Sequence, residues 1–199
     1  WSSDVCSSDL KNMNSTEQIE HYLKLLSKWS RAYNLTAIRD LEKMRTHHIL
    51  DSLSIEPYLP TGSLLDLGSG AGLPGIPLAI QDPARTIVMV DSNRKKSSFI
   101  QQAILELGLS NATAIHSRAE EYRPAKKFNI VVSRAFTSLQ QFLQLSLNLV
   151  ESGGVAVAMK GKWPEEDSAI VDGFKLERVE KIEIPELNAE RHLIVCARV

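Results

Sequence analysis

The run Asp66-Leu67-Gly68-Ser69-Gly70-Ala71-Gly72-Leu73-Pro74-Gly75 has the residue types needed to hold a small molecule against bare backbone. An apolar segment leads into it, and a helix is expected to open at Pro74, a residue suited to the first helical position. Without Cβ atoms, Gly68 and Gly70 let the chain bend sharply and let a ligand approach the main chain. A second carboxylate, Asp91, ends the next apolar run about twenty residues on, the place from which an acidic side chain accepts hydrogen bonds from ribose hydroxyls. Glycine-rich turns also occur without a ligand. Here the order of strand, turn, helix and carboxylate favours a nucleoside-bearing cofactor.

Two dinucleotide-type alternatives are weaker. No Gly-Lys-Ser/Thr follows the glycines, which excludes the ATP-type loop. A nicotinamide or flavin dinucleotide would place its pyrophosphate against Asp66, where a carboxylate repels it, whereas the same carboxylate suits the ammonium of a methionine moiety. The cofactor expected on these grounds is S-adenosylmethionine, with an NAD(P)-dependent oxidoreductase as the rival enzyme. A catalytically silent RNA- or nucleotide-binding module is the alternative outside enzymes.

The elements that must position these residues follow from periodicity. Ser15 reads as a helix cap, and Ile19, Tyr22, Leu23, Leu26, Trp29 and Tyr33 form one apolar stripe, with Asn34 closing the helix. Trp29 and Tyr33 are assigned to core packing. A second helix is expected from Asp40 to about Ile55. Past the Pro60-Thr61-Gly62 turn the rhythm changes to strands at 64–67, 86–90, 112–116, 130–133 and 155–160. Helices are expected from 74, and at 94–107, 119–122, 139–150 and 165–172. Two further strands, 175–184 and 192–198, lack a convincing helix between them, so the last is expected to return antiparallel. The fold class is therefore α/β: a seven-stranded, doubly wound, Rossmann-like sheet of the S-adenosylmethionine-dependent methyltransferase kind, with an N-terminal helical extension. The expected division is 15–60 for the extension and 61–199 for the methyltransferase domain. Residues 1–14 are set apart, because WSSDVCSSDL has no periodicity and reads as a tag, cloning remnant or artefact.

Bulk properties agree with such an enzyme. In 199 residues, 43% are hydrophobic and 24% charged, which is ordinary globular composition. No apolar run approaches the roughly 20 residues of a membrane span. Cys6 and Cys196 form no CxxC pair, so neither a cysteine zinc site nor a disulfide framework is expected, and a reducing, cytoplasmic location is the default. A net charge of −1 means that any contact with RNA needs a local basic face.

Several blocks together resemble one family. They are Asn34-Leu35-Thr36, His48-Ile49-Leu50-Asp51-Ser52, the loop Asp66 to Pro77, Ser133-Arg134-Ala135-Phe136, Lys160-Gly161 and Glu190-Arg191-His192-Leu193. In these the chain is similar, from about Ser15 to Val199, to the RsmG (GidB) family of bacterial 16S ribosomal RNA guanine-N7 methyltransferases. The Gly-Leu-Pro-Gly-Ile-Pro stretch is specific to that family; Asp-x-Gly-x-Gly is shared more widely. The resemblance implies S-adenosyl-L-methionine as donor and a guanosine of 16S rRNA, in the small ribosomal subunit, as acceptor. It implies cofactor contacts from Gly68 and Leu73, an adenine border at Ala119 and Glu120, and Arg134 in the same pocket. Asp91 is added from its strand-end position and Gly70 from the shape of the turn.

Methyl transfer to guanine N7 is an in-line displacement whose nucleophile is a free lone pair, so no general base is required. Alignment alone can contribute on the order of 7–11 kcal/mol. Arg134 is the one catalytic candidate, set against the alternative of a solvated arginine after a buried strand. Lys160, Lys162, Arg191 and His192 are candidates for a basic RNA rim, with Trp163 as a stacking surface. Arg94, Lys95 and Lys96 form a second basic cluster, equally readable as a solvated run. His48 and Asp51 share a helix face, but this pair is too few ligands for a metal, and capping or packing is the plainer reading. No metal, membrane or partner chain is expected, and a monomer is the default.

Overall fold

The computed structural model describes residues 13–134, 136, 138–161, 171–187 and 189–199. The atypical opening decapeptide, Lys162, Trp163 and most of the expected helix 165–172 lie outside the described residues.

Helix α1 (Ser15–Tyr33) is capped by Asn14, one residue before the expected Ser15. The Asn14 side chain accepts the Glu17 N–H at 3.0 Å, and Glu17 accepts the Asn14 N–H at 2.9 Å, a reciprocal capping box. Asn34 ends the helix in the left-handed region, φ 50°. Tyr22, Leu23 and Leu26 are buried on its inner face, each burial contributing about 1.5–3 kcal/mol. Trp29 packs against the core beside Phe99, but Tyr33 is 44% exposed with the Lys95 ammonium 5.5 Å over its ring. The expectation of a buried Tyr33 is thereby corrected: the stripe drifts out of the core at its last turn.

The expected second helix is present but irregular. It starts as α2 (Leu41–Met44) under an Asp40 cap, widens into a π-helical segment at Arg45–Leu50, and tightens again as α3 (Asp51–Leu53). A 3₁₀ turn, Glu56–Tyr58, leads to the sheet.

Seven strands follow: β1 (Leu64–Leu67), β2 (Ile87–Asp91), β3 (Ala112–His116), β4 (Phe128–Ser133), β5 (Val150–Lys160), β6 (Phe174–Ile182) and β7 (Arg191–Arg198). Helices α4 (Gly75–Gln81), α5 (Arg94–Leu107) and α6 (Leu139–Ser146) lie between them. Strand order is β3-β2-β1-β4-β5-β7-β6. The first five are parallel and β7 is antiparallel to both neighbours, as the missing last crossover implied.

Three departures from expectation are the largest. Residues 119–121 form a turn instead of a helix, α6 stops at Ser146, and β5 begins at Val150. The 119–122 segment is too short to repay helix nucleation. Pro74 caps α4 from outside it, and Gly75 is the first helical residue.

The sheet separates two apolar cores. Leu64, Ile87, Met89, Ile130 and Val132 face the core that also holds Tyr22, Leu26, Ile76 and Phe99. Leu65, Leu67, Val90 and Val131 face the other, with Phe142 and Leu143 of α6. The alternation is the period of two of a strand buried on both sides. Gln18 donates to the Leu107 carbonyl at 2.8 Å, and His21 meets Glu106 at 2.9 Å, fastening α1 to α5. Among the described residues, no helix is long and apolar enough to cross a membrane.

Candidate active site

The chain reverses its crossover direction between β1 and β4, and a crevice opens there beyond the carboxyl ends of the strands. Three clefts adjoin along it. The first, about 350 Å³, is walled by Gly68, the β2 end at Val90 to Ser92, the turn from Ser117 to Glu120, and Phe136. The second, about 200 Å³, lies over the glycine loop between Gly68 and Leu73 and reaches Leu35, Thr36, His48, Lys96 and Arg134. The third, about 370 Å³, is bounded by His47, His48, Asp51, Arg134, Lys160 and Arg191, among others. Gly68 is shared by the first two, and His48 and Arg134 by the last two.

The glycine loop is held by its own N–H groups. Gly68 and Ser69 donate to the Val90 carbonyl at 2.8 and 3.1 Å, while Gly72 and Leu73 donate to that of Ser69 at 2.8 and 2.9 Å. Gly70 donates to Asp91 Oδ2 at 2.8 Å. Its φ of +61° is a left-handed conformation, and a Cβ there would meet open space, so backbone geometry is what calls for glycine. Asp91 Oδ1 accepts the Asn93 N–H at 2.8 Å. The carboxylate is thereby fixed at the cleft wall, each oxygen keeping a lone pair for a further donor.

This arrangement tests what the loop can hold. A pyrophosphate needs free N–H groups at a helix start. Here the N–H groups of Gly68, Ser69, Gly70, Gly72 and Leu73 are spent on protein acceptors, Pro74 has none, and Gly75 donates to Asp66 Oδ2 at 2.9 Å. Two carboxylates, Asp91 and Glu120, also line the first cleft. With most of the loop's N–H groups taken and Asp91 and Glu120 beside Arg118 on the wall, the cleft suits a ribose and an apolar-edged base better than a diphosphate.

Asp66 itself is placed differently from the sequence reading. Its register puts it on the same sheet face as Leu64, where it is 0% exposed and absent from the lining of all three clefts. Instead of meeting an ammonium at the surface, it anchors the start of α4. Burial pushes its carboxyl up to about 7, against the pull of the Gly75 N–H and of Arg134. Its Oδ1 has no partner among the described residues.

At the junction, His48 Nδ1 faces the His47 carbonyl at 3.1 Å and Nε2 lies 2.8 Å from the Thr36 hydroxyl. Burial, then the Arg134 charge, lowers its pKa to about 4, so the ring is neutral at pH 7. The contacts suit a proton on Nδ1, with Nε2 accepting from Thr36. Arg134 donates from Nη1 to Asp51 Oδ2 at 3.0 Å and to the His47 carbonyl at 3.4 Å. The Asp51 N–H goes to the carbonyls of Thr46 and His48 at the end of the π-helical segment. Arg191 donates from Nε to Asp51 Oδ1 at 2.7 Å. Lys160 reaches the Phe136 carbonyl at 2.7 Å.

The structure brings Gly68, Gly70, Leu73, Asp91, Ala119, Glu120 and Arg134 to the first two clefts, and Arg134, Lys160 and Arg191 to the third. His192 lies at the β7 start with Nδ1 3.2 Å from the Gly161 carbonyl, and it is not among the residues lining the third cleft. Of the second basic cluster, Lys96 alone reaches a cleft wall and Lys95 covers Tyr33. Ser92 and Ser117 were not singled out from sequence, although each directly follows a strand end, and Phe136 stood only as a member of a recognisable block. Thr36 and Asp51 lay inside recognisable blocks, but nothing in the spacing gave them partners.

The rRNA small subunit methyltransferase G (GidB) family model matches residues 15–194. A Chromobacterium violaceum protein named ribosomal RNA small subunit methyltransferase G is 46% identical over 180 residues, covering 89% of this chain and 86% of its own. The Marinobacter nauticus protein of the same name is 44% identical, covering 92% and 86%. Among solved structures, a TehB-like SAM-dependent methyltransferase from Corynebacterium glutamicum superposes with a TM-score of 0.60 at 17% identity, over 90% of this chain and 99% of that one. At that identity the likeness shows the fold alone.

Proposed function

This chain belongs to the rRNA small subunit methyltransferase G family, and from that premise we propose that it transfers a methyl group from S-adenosyl-L-methionine to N7 of a guanosine in 16S rRNA. The observation that carries the reading is a glycine loop with most of its N–H groups already held by protein acceptors, continuous with an arginine-lined cleft. Asp91 would accept the ribose hydroxyls, and Ala119 and Phe136 would border the adenine. The amino-acid end would lie over Gly70 to Leu73. When bound, the donor supplies an electrophilic methyl group beside a sulfonium.

The protein's part is placement. Arg134 stands where the two clefts meet, able to hold the guanine edge or its phosphate while bordering the donor. Lys160 and Arg191 add positive charge on the acceptor side, where an RNA nucleotide would enter. Neutral His48 closes the junction with both ring nitrogens engaged, consistent with a nucleophile that needs no proton removed. An RNA acceptor within the small subunit places the activity in the cytoplasm.

The test is incubation with unmodified small subunits and labelled donor, followed by mass-spectrometric mapping of 16S rRNA. Label on N7 of a single guanosine is expected. No label, with an active methyltransferase as control, would overturn the reading, as would thermal stabilisation by NAD or NADP in place of S-adenosylhomocysteine.

A further inference from the structure

We propose that Asp51 is a positioning residue, clamping Arg134 and Arg191 so that their remaining N–H groups face the acceptor cleft. The inference rests on the reading of that cleft as the acceptor site. Asp51 has 3% of its side chain exposed and receives Arg191 Nε on one oxygen at 2.7 Å and Arg134 Nη1 on the other at 3.0 Å. Both guanidiniums keep about a quarter of their surface, 28% and 25%, and both line the same cleft. Two cations sharing one cleft repel each other, and a single buried carboxylate between them removes that repulsion. A buried carboxylate, in turn, is costly unless paired, and here each oxygen has a guanidinium.

The clamp leaves donors to spare. Arg134 Nε and Nη2 and Arg191 Nη2 have no partner among the described residues, and they are the atoms that remain to meet an acceptor-rich base edge or a phosphate. The His47 carbonyl gives Arg134 Nη1 a second acceptor at 3.4 Å. Asp51 therefore ties three distant parts of the chain, the helical extension, the β4 end and the β7 start, at the point where the donor and acceptor clefts join. With only 3% of its side chain exposed at the cleft and both oxygens taken by guanidiniums, it acts through the arginines.

The experiment compares the wild-type protein with D51N, D51A, R191Q and the D51N/R191Q double variant. Measured for each are methyl transfer to small subunits (kcat and KM separately), S-adenosylhomocysteine affinity and the melting temperature. D51N preserves shape if D51A fails to fold. We expect D51N to lose ~10-fold or more in kcat/KM for the subunit, with donor affinity within ~3-fold of wild type, and the double variant to lose clearly less than the product of the two single losses, as for coupled residues. Normal kcat/KM in D51N, multiplied losses in the double variant, or a loss that vanishes well below each variant's melting temperature would overturn the clamp. NMR of the arginine side chains gives an arm independent of methylation. A protected Arg191 Nε–H is expected in the wild type and not in D51N. Exchange in the wild type as fast as from a free arginine would overturn the clamp even if the rRNA activity itself failed.

Discussion

The donor side of the crevice and its acceptor side are built from different materials. Around the donor clefts, backbone N–H groups are held by neighbouring strand ends, Gly68 on the Val90 carbonyl and Gly70 and Asn93 on the Asp91 carboxylate, each at 2.8 Å. Around the acceptor cleft, long charged side chains meet across sequence separations of 83 and 140 residues, at Asp51 with Arg134 and with Arg191. A wall of backbone is shaped once the sheet forms. A wall of guanidiniums keeps its shape only while every charge has its partner. Damage on the first side should therefore stay local, and damage on the second should spread through its partners.

Removing Arg134 should have the largest effect, because it borders both sides. Arg134→Ala is expected to lower methyl transfer by roughly 100-fold or more, since it also leaves the buried Asp51 half-paired. Single-turnover assays on small subunits check this, and near-normal rates would return Arg134 to a surface role. Asp91→Ala should weaken donor binding by about 10- to 100-fold, the ~1.5–3 kcal/mol of a charge-assisted hydrogen bond, with turnover at saturating donor much less affected. Calorimetric titration with S-adenosylhomocysteine decides it, and an unchanged Kd removes the ribose assignment.

Gly75→Ala probes the rigidity of the donor wall. A Cβ there would lie 2.5 Å from Met89 Cγ and 2.9 Å from Asp66 Oδ2. A stability loss of about 1–3 kcal/mol is expected in denaturant unfolding, the usual cost of overpacking; a neutral result would mean that this wall yields more readily than its backbone bonds imply.

The smallest effect is a pH dependence at the junction. His48 titrates near 4 in the folded chain against 6.5 when unperturbed. Between those values the unfolded chain binds a proton that the folded chain refuses. Its contribution to stability is thus complete above about pH 6.5 and falls as the pH drops towards 4. His48→Gln should flatten the stability profile in that window alone. An unchanged slope would assign the acid sensitivity elsewhere.

The contrast also explains how far the sequence could be read. The Gly68–Leu73 turn and Asp91 were legible because glycines, a strand end and a carboxylate twenty residues on are local patterns with a local geometric meaning. The seven strands, the mainly parallel sheet and the antiparallel last strand followed from the alternation of elements and the absence of a final crossover helix, whereas the strand order came only with the structure. Asp66 was misplaced because proximity to the glycines says nothing about which sheet face a strand residue takes; its pairing with the face of Leu64 buries it. The role of Asp51 was not legible for a similar reason. Its two arginine partners are fixed by how the N-terminal helices dock on the sheet, and helical spacing shows only that it shares a face with His48.

By itself, then, the sequence determined the elements, the parallel sheet and the nucleoside-shaped loop, all of which depend on side-chain periodicity and on residues within a few turns of one another. Tertiary structure alone decided that Asp66 is buried behind the loop while Asp91 lines a cleft, and it assembled the arginine cleft. The physical reason is that local backbone preference acts over a handful of residues, whereas a buried charge finds its partners only after the packing of remote segments has removed water from between them.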